Sequence, residues 1–187
     1  IAAGMYAYSG VLTALLARQR TDEGATIDVS LFDSLGEWMG FPLYHTLYSG
    51  LSLPRSGPNH ASIAPYGPFS VAGGGQVFLA VQNGREWTRF CGEVLRRPEM
   101  ADDQRYSTVE LRVRHRTQLH DAIARVFERL SLDEMTGRLE VAEIAYSRMN
   151  SVAEFIKHPQ LTSRDRWTEI DSEAGPLHAL QPPVVME

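Results

Sequence analysis

The sequence predicts an α/β protein, and three patterns in its 187 residues carry that expectation. A helical stripe opens the chain, two β-rich segments meet around a glycine run near its middle, and polar caps followed three residues later by Glu mark helix starts beyond it. The length suits one domain or one and a half, enough for a real core. Apolar residues at 43% and charged residues at 22% exclude wholesale disorder, collagen and coiled coil.

Over residues 1–19, Met5, Tyr8, Leu12, Leu15 and Leu16 recur at helical spacing, and Gly4, Ala7, Val11 and Ala14 form a second, small-residue stripe. A helix that can be covered on two faces belongs in a larger α/β layer. Asp22, Glu23 and Gly24 end it. Ile27, Val29 and Leu31 then alternate with Asp28 and Ser30, which predicts a short strand, and an aromatic-rich helix is expected over residues 32–48. Residues 49–68 hold four of the ten prolines and three glycines, the composition of a linker or of a loop facing an active site.

Beyond that boundary, residues 69–71 and 77–81 are β-rich and are joined by residues 72–76, with Gly73, Gly74 and Gly75, as a hairpin. No helix start with Lys-Ser/Thr follows the glycines, so a tight turn fits them better than a phosphate loop. Helix caps are predicted at Asn83 with Glu86, Ser107 with Glu110, Ser131 with Glu134 and Ser151 with Glu154. Leu119, Ala122, Ile123, Val126, Phe127 and Leu130 give the clearest amphipathic stripe, and residues 144–149 suit a short strand.

Eighteen basic against 23 acidic side chains give a net charge of −5, which argues against a nucleic-acid partner. Lys157 is the single lysine, so the remaining basic side chains are guanidiniums suited to carboxylate or phosphate, an Arg richness that genome composition explains equally well. The lone Cys91 excludes an intrachain disulfide or multi-Cys zinc site and fits a reducing cytoplasm; beside Phe90 it reads as a small buried hydrophobe. No run of about 18 apolar residues occurs, so no membrane span is expected. His45, His60, His115, His120, His158 and His178 lack metal-ligand spacing, and no metal site is expected. Arg112, Arg114, Arg116, Arg125 and Arg129, interleaved with Asp121 and Glu128, predict a solvated, ion-paired helix face.

Residues 55–67 differ from these. They place a guanidinium (Arg55), an amide (Asn59), an imidazole (His60) and a phenol (Tyr66) on backbone that Gly57, Pro58, Pro65 and Gly67 force into turns, and loops of that kind often face ligands; a polar interdomain linker is the alternative.

Arg55-Ser56-Gly57-Pro58-Asn59-His60, with Ile63-Ala64-Pro65-Tyr66, resembles the class III CoA-transferase family, which includes formyl-CoA transferase, carnitine CoA-transferase and α-methylacyl-CoA racemase. The opening Ile1-Ala2-Ala3-Gly4-Met5-Tyr6-Ala7, the run Ile27-Asp28-Val29-Ser30-Leu31-Phe32-Asp33, Val81-Gln82-Asn83 with Glu86-Trp87, and His158-Pro159-Gln160-Leu161 are similar to family segments, in family order. The resemblance implies part of a Rossmann-like large domain plus an α+β small domain with a short sheet and several helices. On that template residues 1–50 are a piece of the large CoA-binding domain, 51–66 a linker or active-site loop, 67–164 the small domain and 165–187 a return segment.

The family's length implies a fragment lacking an N-terminal half. The chain opens on Ile1 inside a helix and closes on Pro-rich residues 181–187, as a piece cut at both ends would. The resemblance further implies an enzyme that moves CoA between an acyl-CoA and a carboxylic acid through an aspartyl anhydride and thioester. Its nucleophilic Asp is expected just before Ile1, leaving no catalytic residue in this chain, so Asp22, Asp28 and Asp33 are not assigned that role. Asn59, His60, Tyr66 and Arg55 are the expected substrate-binding residues, and the helix start at Ala2 and Ala3 the expected oxyanion site. Coenzyme A enters as substrate, with no permanently bound cofactor, and the complete protein is expected to form an interlocked homodimer in the cytoplasm. An acyl-CoA racemase of the same fold, or a catalytically silent fragment acting only in association, stays open. The glycine-rich flap of formyl-CoA transferase has no counterpart at residues 62–65.

Overall fold

A computed structural model describes residues 1–184. The fold is mixed α/β, with two units divided between Ser56 and Gly57. The expected extended end at residues 181–187 lies partly outside the described residues, at 185–187.

The first unit holds three helices. Helix α1 (Ala2–Thr21) ends where Asp22 turns into the left-handed region (φ 56°) and its N–H reaches the Arg18 carbonyl; Asp tolerates this conformation better than most residues. Arg18 and Arg20 sit in the last turn, where the helix dipole favours positive charge. The strand expected at Ile27, Val29 and Leu31 does not form. No segment pairs with it among the described residues, and Ser30 instead caps helix α2 (Leu31–Trp38) by accepting from the Phe32 and Asp33 amides. Asp28 therefore has no strand face to occupy, and Asp33 lies in the first turn of α2.

The single helix expected over residues 32–48 is two, α2 and α3 (Gly40–Ser49), broken at Met39. Pro42 explains the break: it has no N–H to offer the Trp38 carbonyl, and its ring would clash with that carbonyl in an unbroken helix. Both apolar stripes of α1 stay largely uncovered. Met5, Leu12, Leu16, Phe32, Trp38 and Tyr48 are exposed, while only Ala2 and Ser34 are buried.

The second unit carries the core. Strands β1 (Tyr66–Ser70) and β2 (Gln76–Ala80) form the expected antiparallel hairpin, and β3 (Ala145–Arg148) pairs on the far side of β2, giving the order β1-β2-β3. Gly73 and Gly74 take φ of 80° and 87° in the turn, a conformation glycine adopts without steric cost. Alternation along the strands sends Phe69, Val77 and Leu79 inward.

Helices α4 (Gly84–Arg89), α5 (Val109–Arg114), α6 (Arg116–Phe127) and α7 (Leu132–Val141) cover that face. Leu119, Ile123 and Phe127 of α6 are fully buried, as the stripe predicts, and the Phe127 ring meets Phe69 and Phe90 edge-on. Full capping boxes form at Ser131 and Ser151, the latter opening α8 (Val152–Ile156), and Asn83 caps α4 with Glu86 reaching back to it. At the second predicted box the cap falls one residue later: Thr108, not Ser107, accepts from the Leu111 amide. Cys91 is buried in a π-helical turn at Phe90–Val94, and burial pushes its thiol up to about 12.

After α9 (Pro159–Thr162), strands β4 (Trp167–Ile170) and β5 (Leu177–Leu180) form a separate antiparallel hairpin, which the sequence pattern did not predict. Arg166 holds its base by donating to the carbonyls of Gln181 and Pro182.

These burial differences set graded stability effects. Ile123→Ala should destabilise the second unit by about 2–5 kcal/mol, and Ser131→Ala by about 1 kcal/mol. Leu16→Ala, on an exposed face, should change stability by less than about 0.5 kcal/mol. Urea unfolding of the three variants tests this order; equal losses would contradict it.

Candidate functional site

The loop before β1 is built from the sheet outward. Pro65 is buried, its carbonyl accepts the Val81 amide at 3.0 Å, and the Ala64–Pro65 peptide is cis. One residue on, the Tyr66 carbonyl accepts the His60 amide at 3.1 Å, closing residues 60–66 into a compact loop. The His60 ring stacks on the Tyr66 ring, with centroids 5.0 Å apart and planes 19° off parallel, and Phe78 meets the Tyr66 ring edge-on at 5.8 Å. His60 Nδ1 accepts the Ser62 amide at 3.2 Å, which fixes the ring's orientation and leaves a proton, in the neutral form, on Nε2. Asn59 lies against Gly67 so closely that a Cβ at Gly67 would come within 2.2 Å of Asn59 Oδ1.

Two arginines hold this loop from the interior. Arg116 donates from Nη2 to the carbonyls of His60 (2.6 Å), Ala61 (3.2 Å) and Ile63 (3.3 Å). Arg112 is fully buried. It donates from Nε to the Ala64 carbonyl at 2.9 Å and from Nη1 to the Tyr106 carbonyl at 3.0 Å, and its guanidinium carbon lies 5.1 Å from the centre of the Trp87 ring. Burial pushes both guanidiniums below their ordinary pKa, for Arg112 against a smaller opposing effect of Cys91 and Glu110.

The solvated, ion-paired arginine face expected from the sequence is therefore wrong at these two positions. None of Arg112, Arg114, Arg116, Arg125 and Arg129 forms a salt bridge among the described residues. The signal that marks Arg112 and Arg116 is register: stepping back from Phe127, Ile123 and Leu119 by three or four residues reaches 116, half-buried, and then 112, fully buried, so both lie on the line of the core-facing stripe. His120 borders them, its ring edge-on to Phe69 at 4.9 Å; burial first, then the Arg116 charge, holds its pKa below the ordinary value of 6.5, against a smaller pull from Asp121.

Of the expected site residues, Asn59, His60 and Tyr66 are brought together here, each half-buried. Arg55 is exposed and belongs to the first unit, as do Ala2, buried, and Ala3, half-buried, in the first turn of α1. That helix start has no side-chain cap and no acidic residue in its first turn. The first unit also has an apolar cleft of about 850 Å³ between α2 and α3, lined by Phe32, Leu35, Met39, Leu43 and Leu47, with no titratable group. Among the described residues no three His, Cys, Asp or Glu side chains gather as metal ligands, and no helix is long and apolar enough to cross a membrane.

The model of CoA-transferase family III matches residues 1–187. The chain belongs to that family. It is 28% identical over 184 residues to the succinate–glutarate CoA-transferase of Agrobacterium fabrum, covering 98% of this chain and 46% of that protein. It is 29% identical over 166 residues to the succinyl-CoA:mesaconate CoA-transferase of Haloarcula hispanica, covering 87% of this chain and 40% of that one. The crystal structure of a CAIB/BAIF family protein from Brucella suis superposes with a TM-score of 0.79 at 28% identity, over all of this chain and 48% of that protein. The family III chain thus spans less than half the length of these relatives.

Two outcomes test the geometry. Gly67→Ala should displace Asn59 and lower stability by about 1–3 kcal/mol; an unchanged unfolding midpoint would contradict the close approach. The unfolded chain protonates His120 near pH 6.5 while the folded one resists, so this residue's stability contribution is present above that pH and is lost as pH falls through its lower folded value. Thermal unfolding against pH should show a slope between about pH 7 and 5 that shrinks in His120→Leu; an identical slope would contradict it.

Proposed function

We propose that this family III chain is about half of an enzyme that moves CoA between an acyl-CoA and a carboxylic acid, with residues 59–66 facing the acyl group. The observation that carries this reading is the cluster of Asn59, His60 and Tyr66 on a loop pinned from behind by two guanidiniums. A weak carboxylate nucleophile needs a site whose donors are already in place when charge develops, and a loop fixed at four carbonyls meets that need.

In the reaction we propose, an aspartate from outside residues 1–187 attacks the thioester carbonyl and expels CoA thiolate, leaving a mixed anhydride. The thiolate attacks the aspartyl carbonyl of the anhydride, releasing the donor acid and leaving an enzyme–CoA thioester. The acceptor carboxylate then repeats the sequence in reverse. The Asn59 amide N–H and the Tyr66 hydroxyl are the donors offered to the developing oxyanions, His60 packs the acyl face, and Arg55 offers a guanidinium to an anionic group. The amides at Ala2 and Ala3, at the positive end of α1, serve the same kind of charge.

Coenzyme A is a substrate in this scheme, with no permanently bound cofactor. Residues 1–50 belong to the large CoA-binding domain, 51–66 to the active-site loop, 67–164 to the small domain and 165–187 to the return, in a homodimer of complete chains. The exposed apolar side chains of the first unit support this division, since a layer without its own core requires covering. The names of the relatives, as transferases, support transfer over racemisation.

In the complete enzyme, His60→Ala and Tyr66→Phe should each lower kcat/KM for acyl-CoA by about 10- to 1,000-fold, the range for loss of a transition-state contact. Unchanged kinetics in both would return the loop to the role of a linker.

A further inference from the structure

We infer that Arg112 and Arg116 are positioning residues for CoA transfer, acting through the loop carbonyls and by two different geometries that predict different tolerance to lysine. This rests on the reading of residues 59–66 as the acyl-facing loop. Neither side chain has a carboxylate partner within salt-bridge distance among the described residues, so the hydrogen-bond acceptors that offset their burial are backbone carbonyls, four of them on residues 60–64. A charged donor buried against neutral carbonyls is stable only while those carbonyls stay in place. A loop that swung away would leave Arg116 with none of these acceptors and Arg112 with the Tyr106 carbonyl alone. The arginines therefore set which way the His60–Tyr66 stack faces, without touching the acyl group themselves.

The two contacts differ in kind. Arg116 gathers three carbonyls on one nitrogen, Nη2, an arrangement that an ammonium with its three N–H donors can reproduce. Arg112 bridges two carbonyls, Ala64 and Tyr106, from two different nitrogens of one plane while lying over the Trp87 ring. A point charge on a flexible stem cannot span that fork. Arg116 also joins the loop to α6, and Arg112 joins it to α5, so the two hold adjacent residues from successive helices.

The test is a kinetic series in the complete enzyme: Arg116→Met, Arg116→Lys, Arg112→Met, Arg112→Lys, His60→Ala and the pair His60→Ala with Arg116→Met. Arg116→Met should lower kcat/KM for acyl-CoA at least tenfold, and Arg116→Lys should return it to within about threefold of the parent, because the single-nitrogen contact survives. Arg112→Lys should stay as impaired as Arg112→Met. The paired variant should lose less than the product of the two single losses, since part of what Arg116 places is the His60 ring that the other change removes.

Multiplicative losses in the pair, or equal rescue by lysine at both positions, would mean that the arginines only stabilise the fold and would overturn the inference. If Arg112→Met does not fold, the Arg116 variants decide alone. Impaired His60→Ala with Arg116→Met within twofold of the parent would sink this inference while leaving the loop's role intact. Silent His60→Ala and Tyr66→Phe would instead sink the loop's role itself.

Discussion

A guanidinium drawn out of water needs acceptors for its N–H groups, and in the second unit fully buried Arg112 and half-buried Arg116 direct four of their five hydrogen bonds to the backbone of one loop. That constraint ties together features far apart in the chain: the Arg112 contact to Ala64 spans 48 residues and the Arg116 contact to His60 spans 56. It draws residues 60–64 onto the helical layer, and the layer in turn rests on Phe69, Phe90 and Phe127. The His60–Tyr66 stack, closed by the His60 amide on the Tyr66 carbonyl, is the outward consequence of an inward anchoring. Stability and placement of the proposed site are thus one problem here, solved by the same two side chains.

Much of the second unit was legible because its signals are local. A capping box needs four residues, and Ser131 and Ser151 form theirs as read; the stripe of α6 needs only its own period, and Leu119, Ile123 and Phe127 point inward as it predicts. What escaped depends on partners elsewhere. Alternation at Ile27, Val29 and Leu31 is a strand signal only where a neighbouring strand accepts it, and Ser30 instead begins a helix. Pro42 could have been weighed against the helix it interrupts, since its missing donor is visible in the sequence itself.

The candidate site divided along the same line. Asn59, His60 and Tyr66 stood out by residue type on a turn-rich segment. The arginines behind them looked like surface charge, because charge usually means solvent, and only their register on the buried stripe says otherwise. The first unit shows the complementary case: its stripes were readable, yet their apolar side chains stay exposed within this chain, which spans less than half of the relatives' length. A pattern tells which face of a helix seeks cover, and says nothing about what supplies it.

The most direct measurement is a crystal structure of the complete enzyme with a slowly reacting acyl-CoA bound. The acyl group should lie in van der Waals contact with the His60–Tyr66 stack, with Asn59 or the Tyr66 hydroxyl at hydrogen-bond distance from the thioester oxygen. An acyl group that meets none of residues 59–66 would contradict the account.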